Sequence, residues 1–436
     1  MQVLKFGGTS VANAENISKV AAIIQQVIER GKTIVVISAL GGITDSLLQS
    51  GSKAAAGDEQ YRELLLQIEQ RHLEAVKALI PITKQSSILS WVKQRCNEIE
   101  DICNGVFLLG ELSPRTRDRI VSYGELLSSR IVSEHLNAQG IENVWSDSRS
   151  FIRTDSNFGH AAVDFAATNT LCRQFFGAAA NLYIVPGFVA ADAKGNITTL
   201  GRGGSDYTAA IIAGAVNAKA LEIWTDVSGM MTADPRLVPN ARILPHISYQ
   251  EAMELSHFGA KVIYPPTIQP VMNKNIPIWI KNTFAPADHG TVIENNVYKN
   301  GSNIRGISSI NHIALLSLEG SGMVGIPGFS RRLFAALAAD EINVILITQS
   351  SSEHSICVGI DEALADRAKQ AVDKAFAWEI ETRKVEPLMV ENGLAIVALV
   401  GDNMKSHPGI SGKMFGALGR NGVNVRAIAQ GSSERN

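Results

Sequence analysis

The sequence lacks several features that mark specialised classes of protein. Only four of its 436 residues are cysteines, and they show no CxxC motif or other zinc-ligand spacing. Lys and Arg number 40 against 42 Asp and Glu, and a net charge of −2 gives no electrostatic basis for binding nucleic acid or an acidic membrane surface. No apolar run approaches the roughly 18 residues that a membrane-spanning helix needs.

Motifs for metal and acyl-enzyme chemistry are also absent from the sequence. The nine histidines form no HxxxH or HExxH pair, and no Ser-His-Asp set is evident. The first residues lack a basic segment followed by an apolar one, which predicts that there is no signal peptide. Sparse cysteine is typical of reduced thiols, so we expect a cytoplasmic protein.

What is present is ordinary globular composition at multidomain length. Hydrophobic residues make up 45% of the chain and charged residues 19%. At roughly 150 residues per domain, the length favours about three domains.

The first 300 residues alternate between strand and helix patterns. Apolar, β-branched runs predict strands, and the intervening segments have the spacing of helices. Strands that are apolar throughout and separated by helices are typical of a largely parallel sheet covered on both faces, an α/β layered domain. The predicted strands are 3–6, 33–38, 182–186 and 220–225, and the helical segments are 12–30, 43–136 and 205–217.

An internal repeat follows. Residues 327–353 and 408–434 align without gaps at an offset of 81, with 13 of 27 positions identical. Each copy reads as strand, turn, helix and strand. The first copy continues into a strand at 355–360 and a helix at 361–376, whereas the second stops at Asn436, before any matching strand.

These patterns divide the chain into four parts. We expect an α/β domain at 1–284, a polar, turn-rich linker at 285–305, a first α+β unit at 306–388 and a second, truncated one at 389–436.

Two glycine-rich turns between a strand and a helix are candidates for binding phosphate or another charged ligand. KFGGTS at 5–10 combines a lysine with glycines that allow close backbone approach ahead of a helix N-terminus. GRGGSD at 201–206 places Arg, Ser and Asp in one glycine turn. For the first, an ordinary turn with an exposed lysine is the alternative; for the second, Ser205 as a helix cap and Asp206 as a dipole partner.

A third glycine cluster, GSGMVG at 320–325, matches the dinucleotide fingerprint but is rejected. The next strand ends in Gln349 and Ser350 and not in an acid for a ribose hydroxyl, and the repeat partner at 401–406 does not keep the glycines.

Polar clusters also follow the other predicted strands. Loops at 5–10, 38–44, 201–206 and 225–236 all leave strand ends, and ligands of open parallel sheets collect at the carboxyl ends of strands. Glu125 stands in a helical stretch of otherwise apolar and small residues, where a buried, satisfied carboxylate is the alternative to a ligand-binding role. Together these loops predict a ligand site.

The ordered set of motifs resembles the aspartokinases of the amino-acid kinase superfamily. It comprises KFGGTS at 5–10, Gly187-Phe188, GRGGSD at 201–206, TDV at 225–227, TADPR at 232–236 and FGAK at 258–261. The repeat resembles the paired ACT regulatory domains of these enzymes. QEAMELSHFGAKV, ITQSSSE and AIAQGSSER are most similar to the kinase half of bifunctional aspartokinase–homoserine dehydrogenases, whose dehydrogenase half is absent from this sequence.

The resemblance implies transfer of the ATP γ-phosphoryl group to the side-chain carboxylate of L-aspartate, giving 4-phospho-L-aspartate. This is the first step of lysine, threonine and methionine biosynthesis. The carboxylate needs no general base, because its reference pKa near ~3.9 leaves it ionised at neutral pH. Mg²⁺ would be held mainly by the nucleotide phosphates.

The resemblance also assigns roles to individual residues. Lys5 and Asp206 would be catalytic. The substrate-binding residues would be Ser38, Thr44, Glu125, Phe188, Arg202, Gly203 and Ser205. The nucleotide-binding residues would be Lys5, Gly7, Gly8, Thr225, Asp226, Met231, Arg236 and Lys261. The family usually has Tyr at the position of Met231, which removes a phenol from the nucleotide side.

The repeat suggests feedback by an amino acid. Gln349 and Gln430, with Asn343 and Asn424, occupy equivalent places in the two copies, and Gln at these places contacts the effector in threonine-sensitive relatives. Threonine is therefore favoured over lysine; shared descent of two polar strand ends is the alternative. ACT units usually pair between chains, which implies a homodimer or larger oligomer.

Three other functions remain to be distinguished. One is a kinase for another acidic amino acid such as glutamate. The second is an amino-acid-sensing protein with an inactive kinase fold, against which the intact Lys5, Arg202 and Asp206 argue. The third is a dinucleotide oxidoreductase, which depends only on the rejected glycine cluster.

Overall fold

A computed structural model describes residues 1–257, 262–295, 304–323, 326–349, 354–401, 404 and 408–429. The described residues divide into two compact units. The larger unit takes 1–232, 240–256 and 262–295, and the smaller takes 233–239, 257 and the residues from 304 onward. Among these residues, no helix has the length and apolar character to cross a membrane.

The larger unit contains eleven strands and nine helices in the described ranges. The strands are β1 Gln2–Phe6, β2 Thr33–Ile37, β3 Val144–Trp145, β4 Arg153–Thr154, β5 Leu182–Pro186, β6 Val189–Asp192, β7 Ile197–Thr199, β8 Leu221–Thr225, β9 His246–Ser248, β10 Ile278–Asn282 and β11 Thr291–Glu294. The helices are α1 Ala14–Ile28, α2 Ile43–Ala55, α3 Tyr61–Leu79, α4 Gln85–Leu109, α5 Pro114–Ala138, α6 Phe165–Phe176, α7 Gly204–Ala215, α8 Tyr249–His257 and α9 Gln269–Met272.

Eight strands form one sheet in the order β3-β5-β2-β1-β8-β10-β11-β9. All neighbours pair in parallel except β10 and β11, which are antiparallel. The predicted α/β architecture with a largely parallel sheet is therefore confirmed. β4, β6 and β7 form a separate three-stranded sheet.

The central strands are buried on both faces because helices cover both. Alternate residues of β1 and β2, such as Leu4 and Val35, join a core with the helices α1 to α5. The intervening residues face the opposite way, and α7 contacts both strands. This packing explains the continuous apolar runs of the sequence, and it places Lys5 on the side opposite to that core.

The smaller unit is built on four antiparallel strands in the order β13-β14-β12-β15. Its elements are β12 Ile304–Glu319, α10 Phe329–Ala339, β13 Leu346–Gln349, β14 Ser355–Asp361, α11 Ala365–Ala375, α12 Ala377–Glu381, β15 Met389–Gly401 and α13 Ile410–Arg420. This is the α+β arrangement expected from the repeat. Residues 421–429 after α13 form no strand, unlike β13 in the first copy.

The two copies of the repeat differ in burial. Helix α10 buries Phe329, Leu333 and Leu337, whereas no residue of α13 is buried. A groove of about 400 Å³ lies along α13 instead. Its lining is mostly apolar and comes from β12, β15, α13 and the residues after it: Ile304, Ile307, Val397, Leu399, Ile410, Lys413, Met414, Ala417, Leu418, Asn421 and Val423.

Residues 285–305 differ from the predicted linker. Thr291–Glu294 forms strand β11, pairs with both β9 and β10, and buries Val292 and Ile293. Ile304 already belongs to β12. A run of four residues between turns is too short to be assigned as a strand from its sequence pattern. β11 is stabilised by its pairing with the neighbouring strands, which the local sequence does not reveal.

Candidate functional site

Three loops leave the same edge of the large sheet. β2, β1 and β8 are adjacent and parallel, so their carboxyl ends lie side by side. The Gly7 amide donates to the Trp224 carbonyl at 3.1 Å, and the Ser38 amide donates to the Phe6 carbonyl at 3.2 Å. The loops that begin at residues 7, 38 and 226 are therefore joined at their starting points.

A buried ion pair connects strand β1 to helix α7. Lys5 Nζ lies 2.6 Å from Asp206 Oδ1, and the two side chains are 10% and 14% exposed. The lysine comes from the middle of the sheet and the aspartate from the first turn of the helix. A buried lysine needs a counterion to remain charged, and Asp206 supplies it. The charged lysine beside a strand-end loop is then suited to binding an anion.

The glycines of KFGGTS allow this loop to pack against the loop after β2. A Cβ on Gly8 would lie 3.2 Å from the Ala39 carbonyl oxygen, and one on Gly7 would lie 3.4 Å from Lys5 Nζ. The space beside the lysine is open to a ligand only because no side chain fills it. Ser10 closes the turn, since its amide donates to the Gly7 carbonyl at 3.0 Å, and its Oγ lies 2.7 Å from Thr283 Oγ1.

The second glycine turn starts helix α7. Gly203, at φ 70°, precedes the first helical residue, and Ser205 is buried in the first turn. Arg202 is exposed and forms no ion pair within the described ranges of the chain. The turn therefore presents a guanidinium to solvent a few residues from the Lys5–Asp206 pair.

Phe188 is held in a conformation that non-glycine residues rarely adopt. Its φ is 64°, its amide donates to Thr208 Oγ1 at 2.9 Å, and its carbonyl accepts from the Leu200 amide at 3.0 Å. A Cβ on Gly204 would lie 2.5 Å from the Phe188 ring. The structure thus brings Phe188 against the GRGGSD turn. Sequence reasoning missed Thr208, because it directly follows Ser205, Asp206 and Tyr207 at the start of α7 and no pattern distinguishes it from them.

Glu125 is a buried carboxyl on α5. Burial raises its pKa to about 8, although the Ala39 backbone amide and the charge of Lys5 act in the opposite direction. Its Oε2 accepts no hydrogen bond in the described part of the chain. A buried polar atom without a partner is costly, and a ligand with a hydrogen-bond donor would relieve that cost.

The loop after β2 supplies two half-buried hydroxyls. Ser38 follows the strand directly, and its carbonyl accepts from Ser128 Oγ at 2.7 Å. Thr44 lies in the first turn of α2. Gly124 lets α5 approach this loop, because a Cβ there would be 2.9 Å from the Ala39 Cβ.

The candidate nucleotide-binding residues are less closely grouped than the residues described above. Thr225 ends β8, and its Oγ1 donates to the exposed Asp226 carboxylate at 3.1 Å. Met231 pairs with Ile243 through an isolated bridge. Arg236 forms an ion pair with Asp234 at 2.7 Å, and both belong to the smaller unit.

Other candidates are exposed or lie outside the described residues. Asn343, Gln349 and Asn424 are exposed in the smaller unit. Lys261 and Gln430 are not among the described residues. Thr348 Oγ1 donates to the Ile428 carbonyl at 3.3 Å, so the segments that follow α10 and α13 meet beside Gln349.

The site is made of cations, backbone donors and hydroxyls. No group of three or more His, Cys, Asp or Glu suited to a metal occurs in the described ranges. In the larger unit, a buried lysine on β1, a buried carboxyl on α5 and two glycine turns lie close to the loops at the carboxyl ends of the central strands. This arrangement suits an anionic ligand that also carries a hydrogen-bond donor.

Sequence profiles match two regions of the chain. The profile of the amino acid kinase family matches residues 1–282. The profile of an ACT domain matches residues 316–376 and 397–436.

Curated relatives resemble the whole chain. It is 36% identical to the bifunctional aspartokinase/homoserine dehydrogenase of Haemophilus influenzae, over 100% of this chain and 54% of that protein. It is 33% identical to the lysine-sensitive aspartokinase 3 of Escherichia coli, over 100% and 94%. The chain therefore spans about half the length of the bifunctional relatives it matches.

Solved structures share the fold. Escherichia coli aspartokinase III in complex with aspartate and ADP, in its R-state, superposes with a TM-score of 0.84 at 32% identity. The same enzyme in complex with lysine and aspartate, in its T-state, gives 0.81 at 33% identity. Both comparisons cover 100% of this chain and 94% of the solved one.

Proposed function

This chain belongs to the amino acid kinase family, and we propose that it is an aspartate kinase that converts L-aspartate and ATP into 4-phospho-L-aspartate and ADP. The observation that carries the proposal is the buried Lys5–Asp206 pair of 2.6 Å beside the glycine loop at the sheet edge. Similarity to aspartokinase III, solved with aspartate and ADP, supports it.

The reaction asks for positioning and charge neutralisation. A carboxylate oxygen of aspartate forms a bond to the γ-phosphorus while the bond from that phosphorus to the β,γ-bridging oxygen breaks, and ADP departs with the electron pair. No proton moves. Lys5 supplies positive charge to the transferring phosphoryl group, the Gly7 and Gly8 loop gives room for phosphate beside it, and Asp206 orients the ammonium.

Recognition of aspartate follows from its three charges. Arg202 suits the α-carboxylate, because a guanidinium binds a carboxylate in a bidentate manner. Glu125 accepts from the ammonium, which gives its unpartnered Oε2 a donor. Ser38, Thr44, Phe188, Gly203 and Ser205 complete the pocket.

The nucleotide is assigned to the loop after β8. Thr225, Asp226, Met231, Arg236 and Lys261 are the proposed contacts, carried over from the aspartokinase motifs. Mg²⁺ belongs to the proposal as an ion carried mainly by the phosphates of ATP. Residues 1–284 form the proposed catalytic domain.

Regulation is proposed for the remainder of the chain. Residues 306–388 and 389–436 act as ACT units that bind an amino acid near Gln349, Asn343, Gln430 and Asn424, with threonine favoured over lysine. The contact between Thr348 and Ile428 supports a site shared by the two copies. Pairing of ACT units between chains would give a homodimer or larger oligomer.

Coupled ADP release with purified protein tests the activity. We expect turnover that requires both L-aspartate and Mg²⁺, together with acyl hydroxamate formation when hydroxylamine is present. Faster turnover on glutamate would reassign the substrate. Absence of both signals with aspartate at every nucleotide tested would falsify the proposal.

The same assay with added amino acids tests regulation. Threonine should lower the rate, and lysine should do so less strongly. Gln349→Ala should weaken that inhibition without changing the uninhibited rate. Stronger inhibition by lysine, or an unchanged response in the variant, would contradict the proposed effector or its site.

A further inference from the structure

A buried carboxylate outside the proposed pocket connects helix α5, which carries Glu125, with the segment that leads to Arg202. Asp118 lies on α5 and is 1% exposed. Its Oδ2 accepts from the Gly159 amide at 2.9 Å and the Thr199 amide at 3.1 Å, and its Oδ1 accepts from Thr199 Oγ1 at 2.9 Å. All three bonds cross between segments distant in sequence.

The partners of these hydrogen bonds lie close in sequence to the two charged residues of the proposed pocket. Asp118 and Glu125 are seven residues apart on α5, which is two helical turns, so they lie on the same face of the helix. Thr199 ends β7 and is three residues before Arg202. The bonds therefore join the helix that carries Glu125 to the start of the turn that carries Arg202.

Gly159 extends the connection to the turn itself. A Cβ on Gly201 would lie 3.6 Å from the Gly159 carbonyl oxygen, so the loop held by Asp118 leans on the turn. Burial raises the pKa of Asp118, and the bonds from Gly159 and Thr199 lower it. A buried acceptor with three donors is suited to holding backbone segments in one arrangement.

We propose that Asp118 is a positioning residue that fixes the separation of Arg202 and Glu125, and so sets the fit to a substrate with an α-carboxylate and an α-ammonium group. This inference rests on the proposed function. Asp118 touches neither reactant and acts through Thr199, Gly159 and its own helix. Recognition of two charges a fixed distance apart depends on holding both partners rigidly.

Steady-state kinetics with three variants tests the proposal. In Asp118→Leu the three bonds are lost, and we expect the KM for aspartate to rise at least about tenfold while the KM for ATP stays within about twofold. Asp118→Asn keeps the shape; its Oδ1 can accept both amides and its Nδ2 can donate to Thr199 Oγ1, so its KM should stay near the wild-type value. Thr199→Val loses one bond and should raise the aspartate KM about threefold.

Asp192→Ala is the matched control. Asp192 is also 1% exposed, but it accepts from Lys194, Asn196 and Ser156 and not from α5. Its loss should lower the melting temperature and leave both KM values within about twofold.

The outcomes distinguish failure of the proposed function from failure of the positioning role alone. Wild-type protein without turnover on aspartate would remove the proposed function and this inference together. Active wild-type protein with an unchanged aspartate KM in Thr199→Val and Asp118→Leu would overturn the positioning role alone. Asp118→Asn impaired as severely as Asp118→Leu would also overturn it, because charge and not hydrogen bonding would then be required. If Asp118→Leu does not fold, Thr199→Val and Asp118→Asn decide.

Discussion

At the scale of single residues, the Lys5–Asp206 pair can be separated into a structural and a catalytic part. Lys5→Met leaves Asp206 as a buried unpaired charge, which should cost about 3–5 kcal/mol of stability, and Lys5→Met with Asp206→Asn should recover much of it. Both variants should turn over at least about 10²-fold more slowly than wild type, because each lacks the lysine charge that is proposed to lie beside the phosphate. Thermal melts and the ADP assay give the two readings.

Lys281→Met is the control for the loss of a buried ammonium. Lys281 is 17% exposed on β10 and lies 3.7 Å from Glu222. Its replacement should leave kcat essentially unchanged. Activity in the double variant comparable to that of wild type would contradict a catalytic role for Lys5.

The raised pKa of Glu125 predicts a pH-dependent affinity for aspartate. With a pKa of about 8, the free protein holds a proton on this carboxyl at neutral pH. An ammonium ligand favours the ionised form, so binding expels that proton. The KM for aspartate should therefore fall about tenfold per pH unit as pH rises from 6 towards 8, and level off above it.

Glu125→Gln is the comparison for the pH profile. The amide does not titrate in this range, so its aspartate KM should be high and independent of pH. A flat wild-type profile between pH 6 and 8 would mean that Glu125 does not meet the substrate ammonium.

At the scale of elements, a glycine-to-alanine substitution should be favourable at one helical position and harmful at another. A Cβ added to Gly105 in α4 would have no neighbouring atom within 4 Å, so Gly105→Ala should stabilise the protein by about 1 kcal/mol. Gly204 begins α7, where a Cβ would be 2.5 Å from the Phe188 ring. Gly204→Ala should displace Phe188 and raise the KM for aspartate. Equal melting temperatures and equal KM values for the two variants would contradict this interpretation.

Elements that depend on local pattern were predictable from the sequence, and elements that depend on neighbours were not. The run 182–186 is apolar throughout and forms β5 as predicted, and α1 begins after its Asn13 cap, two residues later than predicted. Strand β11 was hidden in a turn-rich stretch because its ladders with β9 and β10 define it. The meeting of Lys5 with Asp206 is likewise a long-range contact that motif spacing alone does not specify.

The predicted site shows the same division. Sequence motifs pointed to Lys5, Glu125 and Asp206, and these lie in the larger unit where α5, α7 and β1 meet the strand-end loops. Thr208 and Asp118 were not singled out, because they stand among other polar residues, Asp118 in PRTRDR at 114–119 and Thr208 in GSDYT at 204–208, whereas Glu125 stands among apolar and small ones. Their partners become known only when the chain is folded.

At the scale of the whole molecule, the apolar groove that the described residues form along α13 predicts binding of apolar dyes. The groove along α13 is lined mainly by aliphatic side chains, so a fluorescent dye such as ANS should bind the native protein. Leu418→Glu should reduce that fluorescence, whereas Ser411→Glu, on an exposed position outside the groove lining, should not. Equal dye fluorescence in both variants would mean that the groove is not accessible.

The central place of β1 in the eight-stranded sheet has a consequence for hydrogen exchange. Lys5 is paired through its backbone with strands on both sides, at Val36 and Ile223, so its amide should exchange only when the large unit opens globally. The amides of 201–203 belong to a surface turn and should exchange through small local openings. The backbone that carries the Lys5 ammonium should then exchange most slowly in the proposed site and the turn that carries Arg202 most rapidly, so that this turn can open locally while the strand under Lys5 stays paired.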